Sequence, residues 1–155
     1  MNYFASAAAV SRYALGRPDV HARSVDQIRA FWGLDGPLDT ALDVACGTGL
    51  STGVLRAIAS QVYGTDISAD MLRLAVPVDG VFYVEAPAEE LPFGDGVFDI
   101  VTVSSGVHWF DIDAFLAEAR RVLREGGWLV LYDNNFDFPL GPDDAFRQWC
   151  ASVHF

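Results

Sequence analysis

The chain has 155 residues, of which 52% are hydrophobic, so it can form one compact domain with a core, and this composition excludes a largely disordered chain. Its ten basic residues are all arginine, and the 21 acidic residues bring the formal net charge to -11. A surface this acidic repels phosphate backbones, so we expect no nucleic-acid partner.

The sequence carries no sign of a membrane span, a secretion signal or a metal site. Its apolar runs fall short of the roughly 20 residues that span a bilayer, and residues 1–10 lack the basic start and long apolar core of a signal peptide. Cys46 and Cys150 are too far apart for metal-type spacing and form no disulfide framework. We expect a cytoplasmic protein with reduced thiols, no metal and no membrane partner.

Helices and strands alternate along the chain after an initial loop that ends at residues 16–19. Apolar residues at helical spacing predict a first helix over residues 24–33. The elements predicted after it are strand 41–45, helix 50–59, strand 61–66, helix 68–75 with Ser68 as N-cap, strand 81–85, loop 86–96, strand 98–104, helix 113–124 ended by Gly126 and Gly127, strand 128–132, and a tail from residue 136.

Five strands that alternate with helices, several of them continuous apolar runs, predict a parallel sheet covered on both faces. Sheets of this kind bind ligands beyond the carboxyl ends of their strands. The residues that directly follow each strand are therefore the candidates for function.

A glycine turn, Gly47-Thr48-Gly49, follows the first predicted strand. Glycines at such a turn let the backbone approach a ligand closely. A dinucleotide fingerprint has a third glycine three places after the second, where this chain has Thr52 and places Gly53 one residue later. The turn thus indicates a cofactor site and weighs against a dinucleotide.

Two carboxylates lie close to this turn in the predicted sheet. Asp66 ends the second strand, where a carboxylate can accept both hydroxyls of a ribose; the alternative is that Asp66 caps the next helix. Asp43 lies inside the first strand, where burial is costly unless the carboxylate is hydrogen-bonded or close to a ligand. A ligand with ammonium and sulfonium charges would suit Asp43.

Four motifs, in order, resemble those of class I S-adenosylmethionine-dependent methyltransferases. They are "LDVACGTG", "VYGTDISADML", "APAEELPFGDGVFDIVTVSSGVHWF" and "FLAEARRVLREGGWLVL", and residues 13–18 resemble the lid segment of the small-molecule subgroup with trans-aconitate methyltransferase-like proteins. The resemblance implies an α/β Rossmann-like three-layer sandwich with a mostly parallel sheet. It also implies S-adenosylmethionine as cofactor, S-adenosylhomocysteine as product and a small-molecule acceptor.

The resemblance also assigns roles to individual residues. Pro87 stands where the family often has an acidic residue that contacts the exocyclic amine of adenine. By position, the methionine and ribose part of the cofactor would be lined by Asp43, Cys46, Gly47, Thr48 and Gly49, and Asp66 would hold the ribose hydroxyls. Ile67 and Met71 would pack on the adenine, with Ala88 and Glu89 at its edge. Ser104 and Ser105 would lie near the transferred methyl.

His108 is the candidate catalytic base, because it follows the fourth strand and a histidine can take a proton near neutral pH. The alternative is that His108 and Trp109 only shape a substrate pocket. Tyr13 and Arg17 are candidates for closing over the cofactor or holding a substrate carboxylate, and the alternative for both is a surface loop. We expect His21 and His154, which lie outside every motif, to be solvated.

The chain departs from the family after the fifth strand. Residues 133–155 are too few for the two further strands of the full fold, so we expect a sheet without them. The expected domain spans residues 1–155, with a lid and helix over 1–36, a cofactor-binding core over 37–135 and a shortened tail over 136–155. A bare fifth-strand edge then predicts either a truncated chain or self-association as a homodimer.

Three functions follow from these observations. The leading one is an S-adenosylmethionine-dependent methyltransferase with a small-molecule acceptor. The alternative is a non-catalytic S-adenosylmethionine-binding module that acts through a partner chain or through self-association. An NAD(P)-dependent oxidoreductase is disfavoured by the position of the third glycine and by the lack of a Tyr-x-x-x-Lys pair in a chain without lysine.

Overall fold

A computed structural model describes residues 20–133 as one five-stranded sheet with helices on both faces. The strand order is β3-β2-β1-β4-β5 and every pairing is parallel, so the predicted α/β fold with a parallel sheet is confirmed. The elements are α1 (Val20–Trp32), β1 (Leu38–Val44), α2 (Leu50–Val54), β2 (Ala59–Asp66), α3 (Ala69–Leu72), β3 (Val81–Glu85), β4 (Phe98–Ser104), α4 (Ile112–Val122) and β5 (Leu123–Tyr132), with short 3-10 turns at Leu55–Ala57 and Val107–Trp109.

Two apolar clusters cover the two faces of the sheet. On one face, here called the α1 face, Val25 and Ile28 of α1 pack on Ala41, Val62 and Ile100. The opposite face, here called the α4 face, carries a second cluster of strand residues and α4 residues: Leu42, Val44, Phe98, Val101, Val103, Phe115, Ala119 and Val122. Successive strand residues point to opposite faces, which is why β1 and β4 read as continuous apolar runs.

The first helix begins earlier than predicted, at Val20, and ends at Trp32, just before Gly33 in the left-handed region. Its first turn carries His21, which is buried, with Nδ1 3.2 Å from the Tyr132 hydroxyl at the end of β5. The expectation of a solvated His21 is therefore wrong, because the sequence gives no sign of a partner 111 positions away.

The second and third helices are shorter than predicted. Helix α2 ends at Val54 and strand β2 already begins at Ala59, because Ala59 pairs with Leu38 of β1 and its side chain is buried. Tertiary pairing overrides helix propensity here. Ser68 caps α3 as predicted, since its Oγ accepts a hydrogen bond from the Met71 amide at 3.4 Å.

The last helix and strand differ most from the prediction. Helix α4 ends at Val122, and Gly126 and Gly127 lie inside β5 instead of ending the helix. Leu123 already pairs with Phe98, and the next pair is Trp128 with Ile100, so the longer β5 stretch bulges. Gly126 supplies the left-handed conformation that this bulge requires.

Several expectations fall on residues outside 20–133, including Cys150, His154 and the tail. Within the described residues β5 pairs with β4, and the expected lack of two further strands, the domain bounds and the self-association through β5 all stay predictions.

Within residues 20–133, each helix is too short or too polar to cross a bilayer. No group of three His, Cys, Asp or Glu side chains there could hold a metal.

Arg121 of α4 fastens the loop between β3 and β4. Its guanidinium donates to the carbonyl oxygens of Leu91 at 2.9 Å and Phe93 at 2.7 Å and to both Glu118 carboxylate oxygens at 2.7 Å. Glu118 also accepts from the Leu91 amide at 2.8 Å. The hydrogen bond from Arg121 lowers the pKa of Glu118. This cluster fixes the loop that follows β3.

We expect Arg121→Met to lower the free energy of unfolding by about 2 kcal/mol or more, because hydrogen bonds to charged groups contribute about 1.5–3 kcal/mol each. Urea unfolding followed by circular dichroism measures this loss. Arg120→Met is the matched control, since Arg120 is exposed on the same helix. Equal stability of the two variants would contradict the assigned role of Arg121.

Candidate functional site

The carboxyl ends of β1 to β4 bring four loops to one edge of the sheet. They are the glycine turn at residues 45–49, the segment 66–68, the loop 86–96 and the segment 104–109. All strands run parallel, so every residue that directly follows a strand lies at this edge. Most of the predicted site residues therefore lie on these loops, which the structure places side by side.

The glycine turn after β1 has an unusual backbone. Gly47 and Gly49 have φ of 56° and 79°, and Ala45 shares the left-handed region with φ of 56°. Gly49 donates its amide to the Cys46 carbonyl at 2.9 Å, which closes the turn. Backbone strain in a non-glycine residue, as at Ala45, often occurs at functional sites.

Asp66 connects this turn to the loop after β2. Its Oδ2 accepts a hydrogen bond from the Gly47 amide and its Oδ1 from the Ser68 amide, both at 2.8 Å. An ionised carboxylate has about four acceptor positions, so each oxygen keeps one for a ligand. The carboxylate is half-buried at the edge. This geometry fits two hydroxyl donors, such as those of a ribose. The alternative role of Asp66 as a helix cap is filled by Ser68, which caps α3.

Asp43 lies behind the turn and not on its open side. Its carboxylate is 0% exposed and accepts hydrogen bonds from Ser51 Oγ at 2.6 Å, Thr52 Oγ1 at 2.7 Å and Thr102 Oγ1 at 2.9 Å. Burial raises the pKa of Asp43 and outweighs these hydrogen bonds. The carboxylate has no exposed surface, and the predicted lining of a ligand by Asp43 stays a prediction. It supports the turn from within.

Cys46 and Thr48 are also buried at the turn. Burial raises the pKa of the Cys46 thiol, so the group stays protonated and unreactive near neutral pH. The thiol packs toward β2, since a Cβ added at Gly64 would lie 2.9 Å from Sγ. Cys46 thus contributes packing under the turn.

Tyr83 of β3 is the part of this site that the sequence did not reveal. Its ring crosses Gly64 and reaches the turn, so that a Cβ added at Gly49 would overlap the phenol oxygen and lie 2.7 Å from Cζ. The phenol oxygen is buried and has no hydrogen-bond partner within residues 20–133. Burial raises the pKa of Tyr83 to about 12. Gly49 is therefore required by packing as well as by conformation.

Ile67 and Met71, which are predicted to pack on the adenine, lie beside Asp66 and beside the glycine turn, and their packing role stays a prediction. Ile67 is 74% exposed directly after β2. Met71 of α3 lies against the turn, because a Cβ added at Gly47 would be 3.3 Å from its Cε. The exposed Ile67 side chain offers an apolar surface beside the Asp66 carboxylate.

The loop after β3 uses two predicted site residues for its own structure. The Ala88 side chain is buried in the cluster on the α4 face. Glu89 Oε1 accepts from the Asp111 amide at 2.9 Å, which fastens the loop to the start of α4. The backbone of these residues lies at the edge, while their side chains are engaged within the protein.

The segment after β4 carries the remaining candidates. Ser104 Oγ is buried and has no hydrogen-bond partner within the described residues. Ser105 has φ of 57°, and its Oγ donates to Asp133 Oδ1 at 2.6 Å. His108 is exposed, and its ring centroid lies 4.9 Å from that of Trp109, which is 73% exposed. The base and pocket-shaping roles of His108 both stay predictions.

The predicted substrate candidates Tyr13 and Arg17 lie outside the described residues. Within the described residues, the candidate site consists of four loops and the carboxylate of Asp66. The lid that residues 13–18 suggest stays a prediction.

Known proteins resemble this chain over most of the described residues. The protein-family model described as "Methyltransferase domain" matches residues 42–131. The chain is 37% identical over 128 residues to a 2-phytyl-1,4-naphtoquinone methyltransferase of Trichormus variabilis, covering 73% of this chain and 54% of that one. It is 43% identical over 96 residues to a demethylmenaquinone methyltransferase of Mycolicibacterium vanbaalenii, covering 61% and 42%. The chain thus spans about half the length, or less, of the curated relatives it matches.

A solved structure shows the same fold. The YcgJ protein of Bacillus subtilis aligns with a TM-score of 0.64 and 26% identity, over 72% of this chain and 50% of that one.

The contact between Tyr83 and Gly49 can be tested by substitution. Gly126→Ala is the matched control, because Gly126 has φ of 76° and nothing within 4 Å of an added Cβ. It should cost about 1–2 kcal/mol from backbone strain alone, and Gly49→Ala should cost clearly more. In a Tyr83→Leu background the extra cost of Gly49→Ala should shrink. Equal losses for both glycines in urea unfolding would contradict the contact.

The raised pKa of Asp43 predicts a pH trend in stability. The native group binds its proton more tightly than the unfolded one, whose reference pKa is 3.8. Wild type should therefore lose stability relative to Asp43→Asn as the pH rises from about 4 toward the native pKa. Chemical unfolding of both proteins between about pH 4 and pH 8 measures this difference. Asp113→Asn, at an exposed carboxylate, is the control. A constant difference between wild type and Asp43→Asn would count against the raised pKa.

Proposed function

The chain belongs to the methyltransferase domain family, and from that premise we propose that it binds S-adenosylmethionine at the carboxyl edge of its sheet and transfers the methyl group to a small-molecule acceptor. The observation that carries the proposal is Asp66, which is bonded to Gly47 and Ser68 and keeps an acceptor position on each carboxylate oxygen. Those two positions suit the two hydroxyls of the cofactor ribose.

The residues around Asp66 fit the rest of the cofactor. Ile67 and Met71 would pack on the adenine, and the Gly47 to Gly49 backbone would lie along the methionine part, with Cys46 and Thr48 beneath it. Asp43 would support the cofactor site indirectly, through the hydrogen bonds that it accepts from Ser51 and Thr52 at the start of α2.

The segment after β4 would receive the acceptor. When bound, the cofactor supplies an activated methyl on its sulfonium, and transfer is an in-line displacement that depends on orientation and exclusion of water. Ser104 and Ser105 would line this side, and Trp109 would form an apolar wall. His108 would take the proton that the acceptor releases.

The names of the relatives support a small-molecule acceptor. Two of them are named for naphthoquinone-type compounds, 2-phytyl-1,4-naphtoquinone and demethylmenaquinone. The acidic composition agrees with an acceptor other than nucleic acid. We also propose a cytoplasmic location, because Cys46 and Cys150 form no disulfide framework.

We expect the purified chain to bind S-adenosylhomocysteine and not NAD or NADP, and Asp66→Ala to weaken that binding about 100-fold, because two charge-assisted hydrogen bonds are lost. Isothermal titration calorimetry measures the affinities. Asp70→Ala is the control, since Asp70 is ion-paired with Arg73 at the surface of α3. Circular dichroism verifies that each variant is folded. Binding of NAD in place of S-adenosylhomocysteine, or full affinity in Asp66→Ala, would contradict the proposal.

A further inference from the structure

Ser105 has a backbone conformation that serine rarely adopts. It directly follows β4, and its φ of 57° lies in the left-handed region. A residue with a Cβ atom stays in this region only where its surroundings hold it there, and such residues cluster at functional sites. The hydrogen bonds of Ser105 therefore indicate what maintains this bend.

Two hydrogen bonds tie Ser105 to the end of β5. Its amide donates to the Tyr132 carbonyl at 3.0 Å, and its hydroxyl donates to Asp133 Oδ1 at 2.6 Å. A hydrogen bond to a carboxylate is stronger than one between neutral groups. A serine side chain has a single O–H donor, so the side chain of Ser105 keeps no donor for a ligand. Ser105 can thus act on the site through position more than through contact.

The bend at Ser105 brings the next residue, Gly106, against the residue that precedes the glycine turn. A Cβ added at Gly106 would lie 2.8 Å from the Cβ of Ala45 and 3.3 Å from Cγ1 of Val103. Ala45 is itself left-handed, with φ of 56°. Two left-handed residues at the ends of neighbouring strands therefore place the segment after β4 in contact with the turn after β1.

The rest of this segment is fixed at both ends. The Trp109 amide donates to the Gly106 carbonyl at 3.1 Å, which closes a tight 3-10 turn. Beyond the turn, the ring of Phe110 packs on that of Phe115 in α4, with centroids 4.8 Å apart. His108 and Trp109 are exposed between these two ends. Their direction depends on the bend at Ser105.

We propose that Ser105 and Asp133 are positioning residues, which hold segment 105–109 against the glycine turn so that His108 and Trp109 face the side of the site where the methyl group is transferred. This inference rests on the proposed function. It gives the hydroxyl of Ser105 and the carboxylate of Asp133 a joint role at the acceptor side.

Fluorine NMR of the full chain labelled with 5-fluorotryptophan tests this role. The chain has four tryptophans, and Trp→Phe substitutions identify their signals. The proteins are wild type, Ser105→Ala, Asp133→Ala, Asp133→Asn and the double variant Ser105→Ala/Asp133→Ala. The matched control is Ser60→Ala, at an exposed serine near the start of β2. Spectra are recorded with and without S-adenosylhomocysteine, and calorimetry measures its affinity.

Wild type should give one Trp109 signal, which moves when S-adenosylhomocysteine binds. Ser105→Ala and Asp133→Ala should shift or split this signal without ligand and reduce its response to ligand. The double variant should go no further than either single variant, because the same bond is lost. Asp133→Asn should restore the wild-type signal, because its amide oxygen still accepts a hydrogen bond. Ser60→Ala should match wild type.

The signals of Trp32 and Trp128 and the affinity for S-adenosylhomocysteine should stay close to those of wild type in all variants, because the hydrogen bonds of Asp66 are untouched. Changes in all three tryptophan signals together would indicate a general loss of structure and overturn the positioning role. A loss of affinity in the Ser105 and Asp133 variants would also overturn it, since it would assign both residues to cofactor binding.

An unchanged Trp109 signal in Ser105→Ala would overturn the role of the pair. A wild-type Trp109 signal that does not respond to bound S-adenosylhomocysteine would overturn the direction assigned to the segment. If wild type does not bind S-adenosylhomocysteine, the proposed function fails, whereas the Trp109 signals without ligand still decide whether the pair holds the segment.

Discussion

The carboxylate of Asp66 joins the two loops on which the whole candidate site depends. It ends β2, yet it accepts a hydrogen bond from Gly47 in the turn after β1 as well as one from Ser68 at the start of α3. The turn has a left-handed backbone that needs such support. Since each carboxylate oxygen keeps one acceptor position, Asp66 can connect the two loops and still accept hydrogen bonds from a ligand.

The two aspartates near this edge differ in role because they differ in burial. Asp43 is fully buried, is bonded to three hydroxyls and stiffens the turn from within. Asp66 is half-buried, is bonded to two backbone amides and would share its remaining acceptor positions with a ligand. In this account, burial determines which aspartate supports the fold and which one is accessible to a ligand.

The strands and the order of the loops could be predicted from the sequence, because strands 81–85 and 98–104 are apolar segments bounded by turn residues. The ends of α2 and α4 could not, because the pairing of Ala59 and Leu123 with distant strands decides them. The same limit applies to the site. Asp66 follows from its position after a strand, whereas the contact of Tyr83 with Gly49 arises only when three strands come together.

The central claim is that the ligand lies across the carboxyl ends of β1, β2 and β3. Its most direct test is a titration of the ¹⁵N-labelled chain with S-adenosylhomocysteine, followed by amide chemical shifts. The account predicts the largest changes at residues 46–49, 66–68 and 85–89, with Gly47 and Ser68 among them. Changes confined to the opposite edge of the sheet, around Leu38 and Trp128, would contradict it, and so would a spectrum of the folded chain that the ligand leaves unchanged.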